Sequence, residues 1–173
     1  MHVAYYDLET TNFPTTSEIL QIAVEAENGE EFNQYMFPIT TRYISRSANV
    51  VHGISVVDNE LHKNGEPLPD VVLPEEGLEA FIEFLEGLRE NEEETILLCA
   101  HNGLRFDEKA LKHNLMTNGL TLPRNVEFED SLEILKDYQD KIGKLHLLDF
   151  SQQFLYFYKA PIYRPKYGRM ESG

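Results

Sequence analysis

Residues 95–100 form an almost unbroken apolar segment with a helical pattern on each side. A strand that is apolar on both faces is typical of the buried centre of a parallel sheet. Before it, residues 75–90 predict a helix with Pro74 near its start and one apolar stripe: Leu78, Phe81, Ile82, Leu85 and Leu88. After it, residues 106–117 predict a second helix, with Ala110, Leu111 and Leu115 facing inward. This alternation indicates an α/β protein.

The first part of the chain predicts an antiparallel meander of three strands, at 2–9, 19–25 and 31–37. Asn28-Gly29 is a strong signal for a two-residue hairpin turn between the second and third strands. A short helix is expected at 47–51, closed by His52-Gly53. Residues 58–74, which are polar and contain Gly65 and three prolines, are interpreted as a loop.

The later elements are a fifth strand at 125–128, a short helix at 131–135 capped by Asp130, and a helix at 145–158. The fold class predicted from all of these elements is a mixed five-stranded α/β sheet with helices on both faces. Residues 1–158 would form one domain, and residues 159–173 a divergent basic and aromatic tail in place of a last helix.

The charge of the chain is strongly negative and unevenly spread. The 173 residues contain 15 Lys and Arg against 30 Asp and Glu, which gives a net charge of −15. This balance argues against a protein that coats nucleic acid non-specifically. Residues 75–94 alone carry nine Glu and one Arg, whereas the chain from residue 141 onward has a small positive excess. The acidic run is either a solvated helix face or one pole of a dipolar molecule.

Composition excludes several other classes. One cysteine, Cys99, rules out an internal disulfide and a cysteine zinc cluster. The apolar segments are too short to span a membrane, and the expectation is a protein without a signal peptide that works inside the cell, in the cytoplasm or nucleus.

Three carboxylates are the candidate chemical groups. Asp7 and Glu9 are two residues apart on the first strand, so their side chains leave the same face, and the motif holds no basic residue. Asp107 opens a helix directly after a buried strand, from which it could reach the same sheet edge. A divalent cation would offset such a group of charges. The alternatives are an ordinary surface Asp-x-Glu and a first-turn helix acid.

Five short motifs together resemble the DnaQ-like, or DEDD, family of 3′–5′ exonucleases. They are Asp7-Leu8-Glu9-Thr10-Thr11; Ala100-His101-Asn102 followed by Phe106-Asp107; the strand at 19–24 with Phe37-Pro38; Val51-His52-Gly53-Ile54; and Asp130-Ser131-Leu132. The resemblance runs from about residue 3 to residue 160, and it is greatest to animal three-prime repair exonucleases and related proteins.

The resemblance implies a ribonuclease-H-like fold and two Mg²⁺ or Mn²⁺ ions. By position, Asp7, Glu9 and Asp107 would be metal ligands and catalytic residues. Thr10, Thr11 and Asn102 would contact the 3′ end of a single-stranded DNA or RNA substrate. Two such ions stabilise both the attacking and the leaving oxygen of phosphodiester hydrolysis.

The chain departs from this family at its third motif, His-x4-Asp or Tyr-x3-Asp. Residues 159–173 contain neither His nor Asp. Two functions from different classes therefore stay open: an exonuclease that is impaired in this chain and holds one ion in place of the family's two, or an inactive pseudo-exonuclease that binds nucleic acid or a protein. A homodimer, or a partner chain, is expected to cover the sheet where the family has its last helix.

Overall fold

The computed structural model describes residues 1–41 and 43–142, with their side chains except at 137–142. The predicted helix at 145–158 and the tail at 159–173 lie outside the described residues. The elements in chain order are β1 (His2–Thr10), β2 (Ile19–Ala26), β3 (Glu31–Tyr35), α1 (Arg46–His52), β4 (Ile54–Val57), β5 (Glu60–Lys63), β6 (Glu66–Pro67), α2 (Pro74–Gly87), β7 (Ile96–Ala100), α3 (Asp107–Thr117), β8 (Val126–Asp130) and α4 (Ser131–Ile142).

The main sheet has five strands in the order β3-β2-β1-β7-β8. The β1–β2 and β2–β3 pairs are antiparallel, whereas β7 runs parallel to both β1 and β8. The predicted fold class, a mixed five-stranded α/β sheet, is therefore confirmed. The Asn28-Gly29 turn joins β2 to β3 as expected, with Gly29 at a φ of 86°, a conformation that glycine adopts without steric cost.

One face of β1 supplies the centre of the main core. Ala4, Tyr6 and Leu8 are buried there, while the residues between them point to the opposite face because strand side chains alternate. The helices α2 and α3 cover this core face with the apolar side chains that the sequence predicted, among them Leu78, Phe81, Leu85, Ala110, Leu111 and Leu115. Both helices form where the periodicity placed them, within three residues.

A β-bulge near the end of β1 divides the packing into two clusters. Glu9 pairs with Gln21, but Thr10 pairs with Ile19, so Leu20 is an extra residue on β2. Ile19 belongs to the main core, whereas Leu20 packs in a second cluster with Ile54 and Leu61. The bulge thus lets β2 hold the main sheet and a smaller sheet together.

That smaller sheet corrects the predicted loop at 58–74. The strands β4, β5 and β6 form an antiparallel sheet of their own, and Met36 forms an isolated bridge to Val72. Asp58 and Asn59 both have positive φ, as do Asn64 and Gly65, which is the backbone of tight two-residue hairpin turns. The loop prediction was wrong because it was based on the prolines and Gly65, whereas Asp58-Asn59 and Asn64-Gly65 are hairpin turns between short strands. The helix predicted at 131–135 is also longer, reaching Ile142.

Candidate functional site

The candidate site lies at one edge of the main sheet. Because β1, β7 and β8 are parallel, their carboxyl ends meet at this edge. In α/β sheets, ligands bind outside the carboxyl ends of the strands. Most of the candidate site residues predicted from the sequence lie at these strand ends or in the turns that follow them.

Asp7 and Glu9 lie near the end of β1 on the face opposite Tyr6 and Leu8, and both side chains are half-buried. Their cross-strand neighbours are Ala23 for Asp7 and Gln21 for Glu9. The two carboxylates therefore share a face, as the two-residue spacing requires.

Asp107 is the first residue of α3, and its side chain is only 7% exposed. Its Oδ1 accepts a hydrogen bond from the backbone N–H of Leu8, at 3.3 Å, so the carboxyl lies against β1 between the positions of the other two acids. Burial, reinforced by the charge of Asp7 and more weakly by that of Glu9, raises the pKa of Asp107 to about 7. The Asp107 carboxyl thus lies against the strand that carries Asp7 and Glu9, the other two acids proposed from the sequence.

The donor set fits a hard divalent cation in chemistry, since all three side chains offer carboxylate oxygens. The crowding of Asp107 by two neighbouring acids is the charge imbalance that such a cation would relieve. Within residues 1–41 and 43–142, no three His, Cys, Asp or Glu side chains are gathered closely enough to hold a metal ion as they stand.

Thr10 and Thr11 are buried, with exposed fractions of 5% and 1%. The Thr10 hydroxyl donates to the carbonyl of Asn12 at 2.6 Å, and the Thr11 hydroxyl accepts the N–H of Glu18 at 3.2 Å. Both hydroxyls therefore shape the turn after β1.

His52 ties this strand end to α1. Its Nε2–H donates to the Thr10 carbonyl at 3.1 Å, and its Nδ1 accepts the N–H of Ile54 at 3.0 Å. These two bonds require the neutral ring with its proton on Nε2. Burial, with a smaller contribution from the charge of Lys63, lowers the pKa of His52. The side chain of His52 is therefore structural: it joins the end of β1 to the start of β4.

The lowered pKa of His52 should be visible in how the free energy of unfolding depends on pH. A neutral folded ring releases its proton at lower pH than the unfolded ring, so the unfolded chain binds more protons just below pH 6.5. The His52 contribution is then complete above that pH and is lost as the pH falls. Urea unfolding at a series of pH values should show a steeper acid loss in the parent than in His52→Gln. If the free energy of unfolding falls equally with pH in the two proteins, His52 does not contribute to the loss of stability in acid.

Asn102 lies in the turn between β7 and α3, at a φ of 59° that Asn tolerates better than most residues. Asp130 fixes this turn. Its carboxylate accepts the N–H groups of Asn102 at 2.9 Å, Leu104 at 3.3 Å and Leu132 at 2.9 Å, and its side chain is 1% exposed. The sequence predicted Asp130 as a helix cap and as part of the Asp130-Ser131-Leu132 motif, but not as the residue that fixes this turn. Its second role could be suspected only from its place at the end of a strand parallel to β7.

Gly103 packs against the strand that precedes this turn. A Cβ atom at Gly103 would lie 2.6 Å from the Cβ and 3.3 Å from the Cα of Ala100. We expect Gly103→Ala to cost about 1–3 kcal/mol of unfolding free energy, because backbone must shift. Gly87→Ala is the matched control, since nothing lies within 4 Å of its Cβ position, and it should be neutral or stabilising. Equal melting temperatures for both variants would contradict the close approach.

Comparison with known proteins shows which of them share this fold. A scan against protein-family models found no match, and a search of curated proteins also found none. Solved structures do match. Escherichia coli exonuclease I in complex with a dT13 oligonucleotide has a TM-score of 0.60 at 13% identity, over 79% of this chain and 29% of that one. Exonuclease I from Methylocaldum szegediense gives 0.59 at 16% identity, over 80% and 29%. A zinc-bound form of the E. coli ExoI–ssDNA complex gives 0.58 at 15%, over 79% and 29%.

The chain has the fold of exonuclease I. This confirms the ribonuclease-H-like architecture expected from the motifs. The chain spans about 30% of the length of the exonuclease I chains that it matches. The narrower likeness to animal three-prime repair exonucleases stays a prediction. In the described part of the chain, no helix combines the length and the apolar character needed to cross a membrane.

Proposed function

We propose that this chain is a nuclease domain that hydrolyses phosphodiester bonds at the 3′ end of single-stranded nucleic acid. One observation carries the proposal: the buried carboxyl of Asp107 is held against β1 beside Asp7 and Glu9, at the sheet edge where ligands of such folds bind. The fold shared with exonuclease I, which has been solved with single-stranded DNA, supports the substrate class.

Asp7, Glu9 and Asp107 would hold Mg²⁺ or Mn²⁺, and the bound ions would supply charge stabilisation for the oxygens of the reacting phosphate. Other residues of the chain hold the backbone around the carboxylates in place. Asp130 and His52 fix the two turns that border the carboxylates.

A second candidate, a pseudo-exonuclease that binds nucleic acid or a protein without hydrolysis, is favoured by the composition of residues 159–173. These contain no His or Asp for the third motif of the family. A general base is worth roughly 10²–10⁴-fold in rate, so the chain should be slow if nothing replaces that motif. The homodimer or covering partner stays a prediction that sedimentation would test.

The decisive experiment is a nuclease assay with oligonucleotides labelled at either end, in DNA and RNA, with Mg²⁺ or Mn²⁺. The proposal predicts shortening from the 3′ end that Glu9→Gln abolishes. Glu25→Gln is the control, because Glu25 is an exposed acid on the neighbouring strand β2, opposite Tyr5 and away from the strand end. Binding of single strands without any cleavage would favour the pseudo-exonuclease. If the oligonucleotides are neither bound nor cleaved, the nuclease and the pseudo-exonuclease that binds nucleic acid are both refuted.

A further inference from the structure

Lys63, the last residue of β5, is a half-buried cation held by neutral groups. Its Nζ donates to the Tyr35 hydroxyl at 3.1 Å and to Gln21 Oε1 at 3.4 Å, and it lies 5.4 Å from the centre of the Tyr35 ring. The ion pairs found among the described residues join other cations to carboxylates and do not include Lys63. This is unusual in a chain with a net charge of −15.

The position of Lys63 follows from the strand register. Tyr35 on β3 pairs with Gln21 on β2, and Gln21 pairs with Glu9 on β1. Directly paired residues of antiparallel strands share a face, with Cβ atoms about 4.5–5.5 Å apart. The ammonium group that bonds to Tyr35 and Gln21 therefore lies on the face that carries Glu9, one strand away from it. The small sheet β4–β6 brings a positive charge to the border of the candidate site.

The ammonium group is also held in place. Gln21 is 1% exposed, and both ends of its amide are hydrogen-bonded, because Nε2 donates to Asn33 Oδ1 at 2.8 Å while Oε1 accepts from Lys63. An ammonium has three N–H donors, of which these neutral partners take two. A charge that is partly desolvated and held by neutral oxygens attracts an anionic ligand more strongly than a fully exposed charge does. The reason is that Coulomb attraction is stronger where water is excluded.

We propose that Lys63 binds a backbone phosphate of the nucleic-acid strand, next to the phosphate that Asp7, Glu9 and Asp107 serve. The inference rests on the proposed function for the identity of the anion. Lys63 then supplies a positive charge that attracts the strand, one strand away from Glu9. Its contact is sequence-independent, as contacts to phosphate are.

The test is binding of a fluorescein-labelled single-stranded oligo(dT), followed by fluorescence anisotropy in EDTA so that no cleavage occurs. Salt is varied between roughly 50 and 200 mM, a range over which phosphate contacts weaken markedly. Each contact to a single strand contributes about 0.7 to the slope of log K against log salt. Lys63→Gln should lower the slope by about this amount and weaken binding about 5- to 30-fold at the low-salt end.

Arg124→Gln is the matched control, because it removes the same charge from an exposed residue before β8, at the opposite end of the sheet. It should leave the slope unchanged. Tyr35→Phe keeps the charge of Lys63 but removes one of its acceptors, so it should weaken binding without changing the slope. This variant keeps the inference testable if Lys63→Gln does not fold.

The outcomes separate the two proposals. A parent protein that neither binds the strand in EDTA nor cleaves it with Mg²⁺ or Mn²⁺ refutes the proposed function and the role of Lys63 with it. A parent that binds, with an unchanged slope in Lys63→Gln, refutes the role of Lys63 alone. Equal losses in Lys63→Gln and Arg124→Gln would show a general effect of net charge and would also refute it.

Discussion

Asp107→Asn is expected to raise the melting temperature of the metal-free protein above pH 7 and to abolish its stabilisation by Mn²⁺. The folded state keeps a proton on Asp107 up to a pH of about 7, because burial and the charge of Asp7 raise the pKa from 3.8, the value of an ordinary carboxyl. The folded state therefore binds more protons than the unfolded chain between these values, and stability falls as the pH rises through this window. Asparagine has no such charge to bury, and its oxygen can still accept the N–H of Leu8.

The expected gain at pH 8 is about 1–3 kcal/mol, a few degrees in melting temperature for a chain of this size. Added Mn²⁺ should stabilise the parent, because an ion that binds only the folded state raises its apparent stability. The variant should lose this effect, with Mn²⁺ affinity reduced at least roughly tenfold.

Thermal unfolding with and without Mn²⁺ measures both effects in one experiment. Glu108→Gln is the control, since this neighbouring acid in the same helix turn is half-buried and pairs with the exposed Lys112. It should cost a few tenths of a kcal/mol and keep the response to Mn²⁺. If Mn²⁺ stabilises Asp107→Asn as strongly as the parent, Asp107 is not a ligand.

Asp130→Ala should be among the most destabilising single substitutions in the described part of the chain. It would leave three backbone N–H groups, those of Asn102, Leu104 and Leu132, without the acceptor that they share. Each buried donor left unsatisfied costs about 1–3 kcal/mol, and partial access of water to the loops reduces the sum, so we expect a loss of about 3–5 kcal/mol.

In urea unfolding, the free energy of unfolding of Asp130→Asn should lie between those of the parent and the alanine variant. The asparagine oxygen can replace Oδ1, which accepts two of the bonds, but the amide nitrogen opposes the donor of Leu104. Glu127→Ala, at an exposed position of the same strand, should stay within about 0.5 kcal/mol of the parent. A loss below about 1 kcal/mol in Asp130→Ala would mean that water replaces the carboxylate.

Much of the fold could be predicted from the sequence because its strongest signals are local. The apolar segment became β7, and the Asn28-Gly29 turn joined two strands as expected. The same dipeptide occurs at Asn64-Gly65, where the surrounding prolines and the short strands concealed a second hairpin. With the small sheet missed, Lys63 had no predicted position, so its approach to the candidate site could not be anticipated.

The site could be predicted only in part, for a physical reason. The two-residue spacing places Asp7 and Glu9 on one face, and this follows from strand geometry alone. The burial of Asp107 and the three bonds to Asp130 depend on contacts between residues distant in the chain. No local pattern carries that information.

The position of β1 between an antiparallel and a parallel neighbour has a consequence for the order of folding. Tyr6 pairs with Val24, 18 residues away, whereas Ala4 pairs with Leu98, 94 residues away. The longer closure costs about 1.5 kcal/mol more in chain entropy. The ribbon that carries Asp7 and Glu9 can therefore form early, and Asp107 joins them only when the sheet closes. Stopped-flow kinetics should show that Mn²⁺ slows unfolding more than it speeds folding, because an ion bound by a late-forming site stabilises the native state rather than the transition state.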